Sequence, residues 1–228
     1  MIAGLLPRLL LQNVLWTVGL GAVLFLPAGT LRWPAAWLYL AITAVIGLAG
    51  GLWLARVDPA LLEERMKPMM QKGQPPADKK FMLAFGFAAL IWFLVIGFDR
   101  RWHWSDMPIA LQAFGYALLL ASMALMLRVV RENSFAAPVV KVQAERGHRV
   151  IDTGPYAFVR HPMYSGAVLY FAAIALSLGS WWGLALSPVF FVLFSVRAGV
   201  EERTLTDGLP GYADYLARVR YRLVPGVW

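Results

Sequence analysis

The chain contains no cysteine, and only three of its 228 residues are histidine: His103, His148 and His161. Without thiols there are no disulfides, thiolate metal ligands or cysteine nucleophiles. The histidines form neither an HExxH pattern nor paired ligand spacing, which argues against a metal centre. A phosphate-binding loop, a GxGxxG after a strand and a Gly-x-Ser-x-Gly elbow are also missing. Charge is scarce as well. Only 15% of residues are charged against 60% hydrophobic, and the mean hydropathy is +0.61. Polar surface on that scale does not cover a soluble globule, so the composition reads as an integral membrane protein.

What charge there is leans basic, with 21 Lys and Arg against 13 Asp and Glu, a formal net charge of +8. The basic residues fall between apolar runs and are not interleaved with aromatics on a soluble face. Anionic lipid headgroups are therefore the expected counter-charge, and nucleic acid is not an expected partner. The first apolar run follows Pro7 and Arg8 with no small-residue cleavage site, and is expected to be a retained helix rather than a signal peptide.

Six apolar stretches are long enough to cross about 30 Å of hydrocarbon, which takes roughly 20 helical residues. They lie near 9–28, 34–55, 81–98, 108–128, 163–179 and 183–200. The expected fold is thus all-α, a polytopic membrane helical bundle of about six spans in one domain, 1–228. It divides into a four-helix part, 1–130, and a catalytic part, 131–228. Only Gly179 to Trp182 join the last two spans, so these should form an antiparallel hairpin.

Loop charge sets the orientation. One side collects Arg8; Arg56, Arg65, Lys67, Lys72, Lys79 and Lys80; Arg128, Arg131, Lys141, Arg146, Arg149 and Arg160; and Arg197, Arg203, Arg218, Arg220 and Arg222. The other holds Arg32, Arg100 and Arg101. Both termini and the long loops are expected in the cytoplasm. Trp33, Trp37, Trp102, Trp104, Trp181 and Trp182 fall near the opposite ends, where an aromatic belt would sit. Between the second and third spans, Leu61, Leu62, Met66, Met69 and Met70 alternate with Glu63, Glu64, Arg65 and Lys67. This segment reads as an interfacial amphipathic helix, a connector or a lid.

Chemistry-bearing residues concentrate late in the chain. Glu132-Asn133-Ser134-Phe135 precedes a polar loop with Lys141, Gln143, His148 and Arg149, then Asp152-Thr153-Gly154-Pro155-Tyr156. Gly154-Pro155 suits a turn, glycine tolerating positive φ and proline fixing its own. His161-Pro162 suits a helix start, whose free amides and dipole would favour an anion. Gly166 would admit a close backbone or a flat ligand. Arg197 and Glu201, four apart, share a helix face, where they are either an ion pair or part of a site. The hairpin brings that face level with His161-Pro162-Met163-Tyr164, at a depth where ionisable residues are usually functional. Glu202 and Arg203 are expected toward water or the C-terminal tail.

Gly154-Pro155-Tyr156, Val159-Arg160-His161-Pro162-Met163-Tyr164-Ser165-Gly166, Glu201-Glu202, Gly211-Tyr212-Ala213-Asp214-Tyr215 and Arg218-Val219-Arg220 follow one another in this order. The combination resembles the isoprenylcysteine carboxyl methyltransferase family of integral membrane enzymes, with the phospholipid N-methyltransferases sharing its general pattern. Glu63-Glu64-Arg65-Met66-Lys67-Pro68 is similar to a segment of bacterial members, which implies a bacterial inner-membrane location.

The resemblance implies S-adenosyl-L-methionine as cofactor, bound from the cytoplasm by a loop and the hairpin, and a lipophilic or prenylated carboxylate as acceptor, taken from the bilayer. His148, Arg149, Val150 and Ile151 would line the cofactor pocket. Tyr156, His161, Pro162, Met163 and Tyr164 would wrap the cofactor, and Glu201 would bind its ammonium or ribose. Arg197 would hold the acceptor carboxylate, making Arg197 and Glu201 the expected catalytic pair. A loop glutamine of the family corresponds to Lys141 by spacing or to Gln143 by type. Rival expectations are a phospholipid amine acceptor, an NADPH-dependent membrane sterol or enone reductase with a similar Arg-His-Pro-x-Tyr pattern, and a non-catalytic transport or assembly protein.

Overall fold

The computed structural model describes residues 2–71 and 73–228; Lys72, counted above among the loop charges, lies outside them. The described residues form helices and turns only. Helix α1 spans Ile2–Ala28, α2 Pro34–Val57, α3 Pro59–Met66, α4 Pro76–Trp102 and α5 Ile109–Glu132. After a long loop come α6 (Pro162–Ser177), α7 (Trp181–Leu186), α8 (Pro188–Gly208) and α9 (Tyr212–Arg218).

Proline begins α2, α3, α4, α6 and α8 within the first helical positions, where its missing N–H costs nothing. Helix α4 outruns the expected 81–98 because Asp78, Lys79 and Lys80 at one end and Asp99, Arg100 and Arg101 at the other stay helical, charges that an apolar window leaves out.

Among the described residues, five helices or helix pairs are long and apolar enough to cross a membrane: α1, α2, α4, α5 and α7–α8 together, the last broken between Leu186 and Pro188. Helix α6 differs from its expected role as a full span. Its 16 residues reach only about 24 Å at about 1.5 Å per residue, short of a hydrocarbon core of about 30 Å. It is a helix enclosed by protein, with Ala173, Ile174 and Ala175 fully buried.

The turn Gly179-Ser180 returns the chain as expected, and α6 faces α8 through a stack of Phe171 on Phe190, centroids 3.6 Å apart and planes 10° from parallel. The closer backbone approach is between α6 and α5. A Cβ on Gly115 would stand 2.5 Å from the Ser177 nitrogen, and one on Gly166 would stand 2.8 Å from Met126 Cγ. Gly166 therefore admits helix α5 rather than a flat ligand.

The apolar face of α3 turns into the protein. Leu61 and Leu62 pack with Leu5, Leu9, Leu54 and Val130, so α3 is a docked element rather than a helix lying in lipid. At the opposite end of the bundle, Trp37, Trp102, Trp104, Trp181 and Trp182 are exposed, whereas Trp33 is buried in the core against Phe25.

Candidate functional site

The loop after α5 passes through two 3-10 turns, Ala144–Arg146 and Gly154–Ala157, before α6 begins. Gly154 takes φ +57°, the left-handed conformation anticipated for the Gly-Pro turn. His161 caps α6 with Pro162 in its first turn. The C-terminal segment clamps that start: the Arg160 and His161 amides donate to the Tyr221 and Arg222 carbonyls at 2.9 Å, and Ser165 Oγ donates to Leu223 O at 2.6 Å.

Above this start sit the two glutamates of α8. His161 Nδ1 lies 3.3 Å from Glu201 Oε2, and its Nε2 lies 3.2 Å from Glu202 Oε1. Tyr164 donates its hydroxyl to Glu201 Oε2 at 2.6 Å. The two carboxylates thus meet this turn through the His161 and Tyr164 side chains. Burial alone would lower the His161 pKa; hydrogen bonds and charge from Glu201 and Glu202 outweigh it and raise the value.

Glu202 is buried and faces the tail, with Arg222 Nη2 at 2.9 Å and Arg160 Nε at 3.2 Å. Arg203 is exposed and bonds the Gly199 carbonyl. Glu201, by contrast, is partly exposed, and among the described residues no protein group pairs its Oε1.

Arg197 does not pair with Glu201. Its Nε donates to Asp78 Oδ1 at 3.0 Å, its Nη2 donates to the Pro138 carbonyl, and its Nη1 has no protein partner among the described residues. Asp78 is 0% exposed and also accepts from Val140 N at 2.9 Å and Gln74 Nε2 at 2.7 Å. The guanidinium lies over the rings of Phe81 and Tyr164, 4.8 and 5.5 Å from their centroids.

Of these groups, Arg160, His161, Tyr164, Arg197 and Glu201 border one cavity of about 240 Å³. Of the residues expected from sequence, His148, Arg149, Val150, Ile151, Tyr156, His161, Met163, Tyr164, Arg197 and Glu201 all line it. Pro162 does not: its ring starts α6 and faces an apolar groove on the other side of the turn. Lys141 lines the cavity and Gln143 does not. The Gln143 side chain is 0% exposed, donating to Phe135 O at 2.8 Å and accepting from Arg146 Nη1 at 2.6 Å. Lys141 Nζ reaches Glu64 Oε2 at 2.5 Å and Gln71 Oε1 at 3.1 Å, which fastens α3 to the loop.

His148 stacks on Phe135, centroids 4.5 Å apart. Its Nδ1 accepts from Gln143 N at 3.3 Å, so the neutral ring carries its proton on Nε2. Burial lowers its pKa, partly opposed by the Glu201 charge.

Sequence reasoning missed several walls. Arg65 enters from α3 and is fixed by Nη1 donating to Ala136 O at 2.8 Å. Asn133 donates to the Tyr156 hydroxyl at 2.8 Å, and burial raises the pKa of that phenol. Phe194 and Leu205 of α8 and Tyr212 and Tyr215 of α9 close the other side, with Tyr215 donating to Tyr156 O at 2.8 Å. For the two tyrosines a signal existed, since they belong to the Gly211–Tyr215 motif, and for Arg65 too, within the Glu63–Pro68 segment; for Phe194 none did.

A search of curated proteins finds no match to the chain. A family model does match: residues 110–209, running from α5 through the loop and α6 to the end of α8, fit PEMT, phospholipid methyltransferase. That stretch, less than half of the chain, carries every cavity residue anticipated from sequence, His148 to Glu201, and is similar to the phospholipid methyltransferases.

Proposed function

We propose that the chain is an S-adenosylmethionine-dependent methyltransferase that esterifies the carboxylate of a lipophilic, isoprenoid or prenylcysteine-type acceptor. The observation that carries this reading is the single cavity uniting the His148–Ile151 loop, the His161–Tyr164 turn, Glu201 and Arg197.

The cavity lining fits the cofactor's chemistry. Glu201 Oε1, without a protein partner among the described residues, suits an ammonium or a ribose hydroxyl; the apolar and aromatic lining suits an adenosyl group. When bound, S-adenosylmethionine supplies a methyl group already activated on a sulfonium. His161 and Tyr164 hold Glu201 Oε2 and so orient its other oxygen. His148 is a hydrogen-bond donor at Nε2 and not a base, because its lone pair at Nδ1 is taken.

A carboxylate acceptor needs no base, being ionised at neutral pH. Arg197 would hold it through Nη1, and the Asp78 charge on the other side of the guanidinium tempers the pull, leaving the acceptor oxygen more nucleophilic than against an isolated cation. The chain's remaining task is alignment and the exclusion of water, which can supply much of the barrier reduction.

A second cavity, of about 420 Å³ between α1, α2 and α5, shares Arg65, Met126 and Met163 with the first. It supports an acceptor whose tail lies among the helices while its head meets Arg197. The basic residues Arg65, Lys141, Arg149, Arg160 and Arg197 around the first cavity favour an anionic head. A nicotinamide dinucleotide is disfavoured by the match of residues 110–209 to phospholipid methyltransferase.

A phospholipid amine is the second reading, favoured by the family that residues 110–209 match. The methyl-labelled product separates the two. Incubation with labelled S-adenosylmethionine and membranes should give a base-labile label, as a methyl ester would; a base-stable label would replace the carboxylate with an amine.

A further inference from the structure

Most cations on the wall of the first cavity are balanced by the protein itself. Lys141 is paired with Glu64, Arg160 with Glu202 and Arg197 with Asp78, and His161 lies between Glu201 and Glu202. Arg65 differs. Its Nη1 donates to the Ala136 carbonyl at 2.8 Å, and among the described residues no carboxylate pairs with it and no protein group takes its Nε or Nη2. The adjacent Glu64 is already taken by Lys67 and Lys141. Arg149 likewise has no carboxylate partner among the described residues, but it belongs to the His148–Ile151 loop and does not line the second cavity.

Arg65 stands where the two cavities join. It lines both the cavity of about 240 Å³ and the one of about 420 Å³, a position it shares with Met126 and Met163. Two flexible thioethers that adapt to an apolar chain and one guanidinium thus make the neck. The residue is exposed rather than sealed in, so a ligand can reach it. Its anchor also ties it to Arg197: the Ala136 and Pro138 carbonyls that hold the two guanidiniums are two residues apart, at most about 7 Å of chain. Arg197 brings a charge that Asp78 already offsets. Arg65 brings one that nothing offsets, and an anionic ligand is its complement.

We propose that Arg65 is a second acceptor-binding residue of the methyl-transfer site, the one that selects an anionic head on an apolar tail. The inference rests on the carboxylate-acceptor reading above. Within it, Arg197 orients the carboxylate, and Arg65 supplies the net charge that draws the carboxylate past the neck while the tail stays among α1, α2 and α5. Its Nε and Nη2 are the donors left for charge-assisted hydrogen bonds to a carboxylate oxygen. A neutral head gains little from this guanidinium, and a cationic head is repelled by it. Helix α3 thereby acquires a task, since its docking against Leu5, Leu9 and Leu54 is what carries Arg65 to the neck.

The test compares N-acetyl-S-farnesylcysteine, a lipophilic acid, with its primary carboxamide, each titrated calorimetrically into the full chain in detergent with S-adenosylhomocysteine present. The wild type should bind the acid about tenfold more tightly than the amide, as a charge-assisted hydrogen bond gives. Arg65→Gln should bring the two within about twofold by weakening the acid alone. In turnover, the KM for the acid should rise about tenfold in this variant with a smaller change in kcat. S-adenosylhomocysteine should bind the variant as it binds the wild type, which separates a lost grip on the acceptor from a lost fold. Should Arg65→Gln lose that binding, Arg65→Met carries the same prediction; loss in both would make Arg65 a structural residue and overturn the role. A wild type with no preference for the acid would overturn the carboxylate reading itself. A wild-type preference that persists in the variant would overturn the role of Arg65 alone.

Discussion

Arg197 of α8 and Asp78 of α4, 119 residues apart in the chain, meet in a buried ion pair at 3.0 Å. The pair joins the helix that carries Glu201 to the start of the helix that follows the α3 segment. Because Asp78 also receives the Val140 amide, the same carboxylate fixes the loop over the cavity.

Breaking this pair from either side has different consequences. Asp78→Ala leaves a buried guanidinium without its counter-charge and should cost about 3–5 kcal/mol of stability. Arg197→Ala leaves Asp78 with two donors, Gln74 and Val140, and should cost less stability but abolish methyl transfer. Thermal unfolding in detergent beside label transfer measures both. Asp78→Ala melting no lower than Arg197→Ala, or Arg197→Ala retaining full turnover, would contradict the assignment.

Helices α5 and α6 touch through Gly115, where a methyl group would stand 2.5 Å from the backbone nitrogen of Ser177. Backbone cannot turn aside as a side chain can. Gly115→Ala should therefore cost about 1–3 kcal/mol or more, the usual range for overpacking. Gly166→Ala meets the flexible Met126 side chain at 2.8 Å and should cost less. Melting temperatures of the two variants test the order.

The His161 pKa is raised in the folded chain, from an unfolded value near 6.5. The folded state then holds the proton more tightly, so this contribution to stability is fully present below about pH 6.5 and is lost as pH rises through the folded value. Unfolding measured from pH 6 upward should show a decline that His161→Gln lacks. A wild-type curve parallel to that of the variant would rule the linkage out.

Much of this architecture is written in local sequence. Proline positions and apolar runs mark the helix starts, and the short Gly179-Ser180 turn forces α8 back past α6. The motif from Tyr156 to Tyr164 and the pair Arg197 and Glu201 do converge, because the return brings them to one level. Pairing partners are another matter. Asp78 in Pro76-Ala77-Asp78-Lys79-Lys80 reads as an ordinary first-turn acid, and nothing within a helical turn of it points to Arg197. The spacing of Arg197 and Glu201 fits an ion pair equally well, yet tertiary partners with better geometry take each of them. That Lys141 and not Gln143 lines the cavity turns on which side of the loop faces inward, fixed by the Phe135 carbonyl that Gln143 satisfies. The length of α6 misled for a related reason: an apolar run enclosed by protein looks in sequence like one enclosed by lipid.

The central claim is that the cavity holding Glu201 binds the adenosyl cofactor. Calorimetric titration of the purified chain with S-adenosylhomocysteine, beside Glu201→Gln, tests it most directly. Binding to the wild type, an affinity about tenfold lower in the variant, as loss of a charge-assisted hydrogen bond would give, and no heat with NADPH are the results predicted. No binding of S-adenosylhomocysteine, or equal affinity in the variant, would contradict it.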